Sequence, residues 1–166
     1  MARSVRDIEG VMSGVVCSDE PAVVLSSLAR ASNPAFSDAC ALELSEGTDA
    51  LFRVSFPLAD EDAVSPAARN AGKPWKSVTT PFQARSEHGF GSFAGVVTHS
   101  WARGDPTEDD AIIARLLVDQ ALAVLRRERM ARALARADDR AAKLAIELIT
   151  GRRDPRPRRH LQPVDG

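Results

Sequence analysis

Two cysteines, three histidines and a run of arginines are the residues of this chain best equipped for chemistry. A thiol becomes nucleophilic when a helix N-terminus or a nearby cation lowers its pKa. Cys17 ends an apolar helical stretch, and Cys40 shares one face of a strand with Leu42 and Leu44. Both are therefore expected to be small core hydrophobes rather than reactive thiols. His88, His99 and His160 show no i, i+4 pair that would place two imidazoles on one metal. There is no Gly-x-Ser-x-Gly elbow for a serine nucleophile. The glycines of GFGSFAG open into a strand, not into a helix N-terminus, so the amide cradle for nucleotide phosphates is missing. No metal, no cofactor and no enzymatic activity are expected.

The elements that position these residues follow from composition and periodicity. The chain has 166 residues, 44% hydrophobic and 27% charged, enough for one compact domain with an appendage. Two cysteines exclude a disulfide scaffold and a four-cysteine zinc site. A net charge of −1 excludes a uniformly basic nucleic-acid coat. The average hides a gradient: residues 1–106 carry nine Lys/Arg against thirteen Asp/Glu, whereas residues 151–166 carry five Arg against two Asp. No run of apolar residues is long enough for a membrane span, and MARSVRDIEG lacks the apolar core of a signal peptide. A cytoplasmic location without membrane contact is expected.

Ile8, Val11, Met12, Val15 and Val16 recur at helical spacing, which predicts a first helix over 6–17. Ser18-Asp19-Glu20-Pro21 stops it and starts a second helix, with Val24, Leu25 and Leu28, that ends near Asn33-Pro34. Period-two alternation then predicts strands at 39–45 and 50–56, joined by a turn at Glu46-Gly47-Thr48-Asp49. Residues 57–74 read as a proline-bearing loop with one helical turn near Ser65–Asn70. A third strand at 75–84 contains Pro81, which assigns it to an edge or a bulge, and a fourth covers 92–101. Thr107 with Asp110 forms an acidic capping box. No proline or glycine follows until Gly151, so a single long helix is expected.

Two surfaces on this scaffold are candidate sites. Phe52, Val54, Phe56, Phe82, Phe93, Val97, His99 and Trp101 share strand faces and could line a pocket. They bring few polar groups, so a small ligand held there would be apolar or aromatic. On the long helix, Met130, Leu134, Ala137, Ala141, Leu144 and Leu148 follow steps of 4, 3, 4, 3, 4, a heptad seam. Such a seam leaves apolar area in water unless a second copy covers it, so a homodimer through a parallel coiled coil is expected. The tail RRDPRPRRHLQPVDG has three prolines and no periodicity; it is expected to be disordered, with arginines able to meet RNA phosphates.

The stretch from Ser77 to Arg129 resembles the second half of a GAF domain. Its matching parts are Thr80-Pro81-Phe82, the glycine-bearing strand Gly91 to Val97, the acidic start Pro106 to Asp110, and the Ile/Leu/Ala-rich helix Ile112 to Leu125. The helix at 20–32 followed by CALEL and LFRVSF resembles the first half, so the resemblance covers about residues 6–128. It implies an α+β fold, with a GAF-like antiparallel sheet flanked by helices and a long C-terminal helix extending as a coiled coil. The chain departs from the family at 57–74, where relatives carry a longer ligand-covering segment. LARADDRAAKLAIELITGRR resembles the first helix of an ANTAR module, an RNA-binding antitermination unit that follows GAF domains in actinobacterial regulators. There Ala145, the apolar Leu148 and Ile149, and Arg152 agree with the family run, while Ile146 and Glu147 stand at its lysine and glycine positions and do not.

Together these readings divide the chain into a GAF-like sensory domain at 1–128, a signalling and dimerisation helix at 129–151 and a basic tail at 152–166. The expected function is non-catalytic regulation: binding a small ligand or partner and dimerising through the C-terminal helix. The resemblance also implies two alternatives. One is an RNA-binding antitermination regulator of the GAF-ANTAR type using residues 126–159. The other is a thiol-dependent methionine sulfoxide reductase, as in some GAF relatives, using Cys17 and Cys40.

Overall fold

Residues 5–46, 50–56, 75–87, 89–102 and 104–151 are described by a computed structural model; the side chains of residues 5–7, 50 and 151 are set aside. The expected turn at 47–49, the loop and helical turn within 57–74, His88, and the tail with His160 lie outside the described residues. The alternating segments form strands β1 (Ala39–Glu46), β2 (Ala50–Phe56), β3 (Lys76–Ala84) and β4 (Phe93–Trp101). They pair antiparallel in one sheet of order β2-β1-β4-β3. Three helices complete the fold: α1 (Val5–Ser13), α2 (Pro21–Ala35) and α3 (Glu108–Gly151). The protein is α+β, with a four-stranded antiparallel sheet and a long C-terminal helix.

Register decides which side chains share a face. Leu42 lies opposite Val54 on one side and Val97 on the other, and Cys40 lies opposite Phe56 and His99. On β3, Val78, Thr80 and Phe82 oppose His99, Val97 and Gly95. This inner face enters one core with Val11 of α1, Val24, Leu25 and Leu28 of α2, and Ile113, Ala114, Leu117, Val118, Ala121, Leu122 and Leu125 of α3. The outer face carries polar pairs across the strands. Arg53 meets Glu43 directly across the strands at 2.8 Å, and the hydroxyls of Ser77–Ser100 and Thr79–Thr98 approach to 2.8 and 3.2 Å. Alternation in an antiparallel sheet with one face on the core produces this division.

Pro81 sits in β3, an edge strand, where its missing N–H costs no ladder bond. Gly95 is needed where it stands: a Cβ there would lie 2.1 Å from the Glu43 carbonyl oxygen and 2.7 Å from Phe82 Cζ. The Phe82 ring occupies the space that a side chain at residue 95 would claim.

The first helix is shorter than its apolar spacing predicts. It ends at Ser13, with Gly14 and Val15 donating to the carbonyls of Val11 and Met12. Gly14 lets the chain pass close to α2, where a Cβ would come 2.8 Å from Ala31 Cβ. Val16 then donates its N–H to Ser27 Oγ at 2.9 Å and turns its side chain outward. The apolar face survives this break, because Ile8, Met12 and Val15 still pack against the core. The second helix departs from helical geometry at Asn33, where the following peptide to Pro34 is cis.

The start of α3 follows the expected capping box. Thr107 donates from both its backbone N–H and its hydroxyl to Asp110 Oδ2, at 2.8 and 3.0 Å, and the Asp110 N–H returns a bond to Thr107 Oγ1 at 3.2 Å. Glu108, Asp109 and Asp110 place negative charge where the helix dipole is positive. The chain divides into two compact units, Met1–Arg132 and Ala133–Gly166. The first holds the sheet, α1, α2 and α3 as far as Arg132; the described part of the second is the remainder of α3.

Candidate functional site

The most unusual surface lies on α3. Its core stripe runs through residues 114, 117, 118, 121, 122 and 125, all buried. A second apolar series on the same helix is in water: Met130, Leu134, Leu144 and Leu148 are all well exposed, Leu134 by 65% and Leu148 by 71%. Ala137 and Ala141 fill the remaining seam positions and are exposed too. Nearer the helix start, Ile112 and Leu116 are also exposed, whereas Ile113 and Leu117 beside them are buried. A soluble surface spends little of its area on consecutive large aliphatic side chains at one helical spacing.

The eight sequence-derived pocket residues all fall on the inner sheet face. Phe56, Phe82, Phe93, Val97, His99 and Trp101 are buried in the core shared with the helices, Val54 packs partly against it, and Phe52 is exposed at the β2 edge. These side chains therefore meet helices α1 to α3. Phe52 also borders a groove of about 410 Å³ with Gly14, Val16, Ala22, Val23 and Arg30.

His99 is fully buried and holds α2 to β4. Its Nε2 lies 3.3 Å from Ser32 Oγ, and its ring meets the edge of Phe36 at 5.0 Å between centroids. Trp101 donates its indole N–H to the Phe36 carbonyl at 3.2 Å and packs edge-on against the Phe36 ring. Such a set fixes the end of the second helix on the sheet. Among the described residues no group of three His, Cys, Asp or Glu could hold a metal ion. None of the described helices is long and apolar enough to cross a membrane.

The thiols separate. Cys40 is buried, as its strand alternation predicts, and burial pushes its thiol from the ordinary 9.0 up to about 12. Cys17 corrects the expectation of a core residue: it is exposed, because α1 stops at Ser13 and leaves it in the connection to α2. Arg127 Nη2 points at its sulfur from 3.6 Å.

Sequence reasoning missed one cluster. Arg129 and Arg132 continue the core stripe of α3 by steps of four and three beyond Leu125. Arg129 donates from Nε to the Asp19 carbonyl at 3.1 Å, and Arg132 donates from Nη1 to Asp19 Oδ2 at 2.8 Å. Asp19 is only 7% exposed. The Arg129 guanidinium also lies 4.8 Å above the Phe90 ring centroid and 5.1 Å from that of Phe93. Desolvation lowers its pKa, against the pull of Glu46, Asp19 and Glu87. The legible signal was the helical spacing of these two arginines with the buried leucines.

No family model, curated protein or solved structure matches the chain.

Proposed function

We propose that this protein is a non-catalytic regulatory domain of GAF-like architecture that dimerises through α3 as a parallel coiled coil. The observation that carries the reading is the exposure of Met130, Leu134, Leu144 and Leu148 along one heptad series. Burying one leucine side chain contributes roughly 1.5–3 kcal/mol, so a second copy that covers four such residues per chain offers a large driving force. Ala137 and Ala141 permit close helix approach but contribute less area, which points to a reversible dimer.

Charge supports the parallel orientation. With Leu134, Ala141 and Leu148 at a and Met130, Ala137 and Leu144 at d, Asp138 occupies e and Arg140 occupies g. In a parallel pair, each g residue faces the e residue five positions on in the partner. Asp138 then faces alanine 133 and Arg140 faces alanine 145. An antiparallel pair that keeps every apolar layer centres near residue 139, and sets Asp138 against Asp138 and Arg140 against Arg140. Like charges at such flanking positions oppose association.

The chemistry-bearing side chains are consistent with a structural rather than catalytic use. The Cys40 thiol is buried and hard to ionise, and His99 is enclosed by Ser32, Phe36 and Trp101. The α+β order of the chain, two helices before a four-stranded sheet and a long helix after it, is in keeping with the GAF resemblance.

Sedimentation at micromolar concentration tests the reading. The parent should contain a two-chain species, and Leu134→Arg should sediment as one chain with unchanged far-ultraviolet circular dichroism. A parent that remains a single chain at every concentration contradicts the proposal.

A further inference from the structure

A small cavity of about 30 Å³ lies where the end of β3 and the start of β4 meet α3, within the first compact unit. Its floor is apolar, made by Ala84, Phe93, Leu122 and Leu125. Its rim is not: Arg85, Arg126 and Arg129 face one carboxylate, Glu87. Arg85 and Arg126 are exposed and make no ion pair with any described residue. Glu87 acts on Arg129 without an ion pair to any described residue, so three guanidiniums stand against one carboxylate on the rim. Arg129 is held in place by the Asp19 carbonyl and by the Phe90 and Phe93 rings.

We propose that this cavity binds the carboxylate of a short-chain organic acid. The head group would meet the Arg85 and Arg126 guanidiniums, whose planar forks suit a carboxylate in two-point contact. The alkyl end would lie on Phe93, Leu122 and Leu125. Size favours a short chain, since about 30 Å³ gives room for roughly two water-sized centres at 10–15 Å³ each: the last carbons of the chain would fill the cavity while the carboxylate stays outside it on the arginine rim. The apolar floor selects an organic acid over inorganic phosphate, which would leave Leu122 and Leu125 facing a doubly charged ion and would bring a second negative charge toward Glu87.

This deepens the regulatory reading by naming a ligand class, and rests on that reading only for its consequence. Arg126 and Arg129 belong to the same helix that carries the exposed seam from Met130 onward.

Calorimetric titration of the full chain with butyrate, acetate and inorganic phosphate tests the site. Butyrate should bind with a millimolar or tighter Kd, more tightly than acetate and phosphate. The double substitution Arg85→Gln with Arg126→Gln should weaken it by roughly tenfold or more, as expected for lost charge-assisted hydrogen bonds. Both residues are exposed, so this variant should keep its fold, checked by circular dichroism. Arg129→Lys, which keeps the charge but not the planar stack, should also weaken binding. Absence of butyrate binding, an unchanged Kd in the double variant, or phosphate binding as tightly as butyrate overturns the site. The same titration on Leu134→Arg separates the two proposals: butyrate binding to a single chain upholds the site whatever the fate of the dimer.

Discussion

The two halves of α3 each carry an apolar series at helical spacing, yet their environments are opposite. From Ile113 to Leu125 the stripe is buried against the sheet and the first two helices; from Met130 to Leu148 the leucines are in water. Helix propensity and amphipathicity alone do not separate a core stripe from an interface. The separating feature is what continues each stripe. The core stripe passes into Arg129 and Arg132, which close it with bonds to Asp19 and stacking on aromatic rings. The other series passes through Ala137 and Ala141 to Leu144 and Leu148 without leaving its heptad positions.

Breaking each half should therefore have different signatures. Leu117→Ala, in the fully buried stripe, should cost about 2–5 kcal/mol of stability at any protein concentration. Chemical denaturation at two concentrations checks this, because a loss that depended on concentration would assign Leu117 to the interface instead. Arg129→Ala removes a hydrogen bond and two cation–π contacts, and should cost on the order of 1–2 kcal/mol after allowing for the guanidinium's partial exposure. Arg140→Ala, in the exposed half, should change stability by less than about 0.5 kcal/mol. Equal effects at residues 129 and 140 would erase the contrast.

The thiols sharpen the same contrast between buried and exposed surroundings. Because the folded-state Cys40 thiol is raised to about 12 from an ordinary 9.0, unfolding releases its proton once the pH exceeds about 9. Stability from this group is fully present below pH 9 and is lost as pH rises toward 12. At pH 10 the loss should be on the order of 1 kcal/mol relative to pH 8, and Cys40→Ala should flatten that slope. In the folded protein a thiol reagent should modify Cys17 rapidly and leave Cys40 intact.

Much of this molecule could be read before its fold was known, for physical reasons that differ between regions. Strands β1 to β4 were legible because their alternation is driven by one buried face, and Pro81 correctly marked the edge. The Thr107–Asp110 box was legible because a cap is a local interaction. What sequence could not supply was the meeting of distant elements. Nothing in the spacing around Asp19 showed that Arg129 and Arg132 would reach it, some 110 and 113 residues away. Cys17 was misplaced because an apolar face at helical spacing continued past Ser13, where the close approach of Gly14 to Ala31 ends the helix. The inner-face aromatics were legible as a set, but alternation alone does not say which face the helices cover. The small arginine-rimmed cavity was hidden for the same reason: its walls come from β3, β4 and α3.

The pairing of α3 is the claim on which the regulatory reading depends, and spin-label distances test it most directly. Labels would be placed at Asp139→Cys and, separately, Ile146→Cys in a Cys17→Ser background. Both positions are exposed and lie opposite the seam. A parallel pair predicts the same inter-label distance at the two sites. An antiparallel pair centred near residue 139 would move the labels at residue 146 apart by roughly 21 Å along the axis, at 1.5 Å per residue. That outcome, or no dipolar coupling at either site, would contradict a parallel coiled coil.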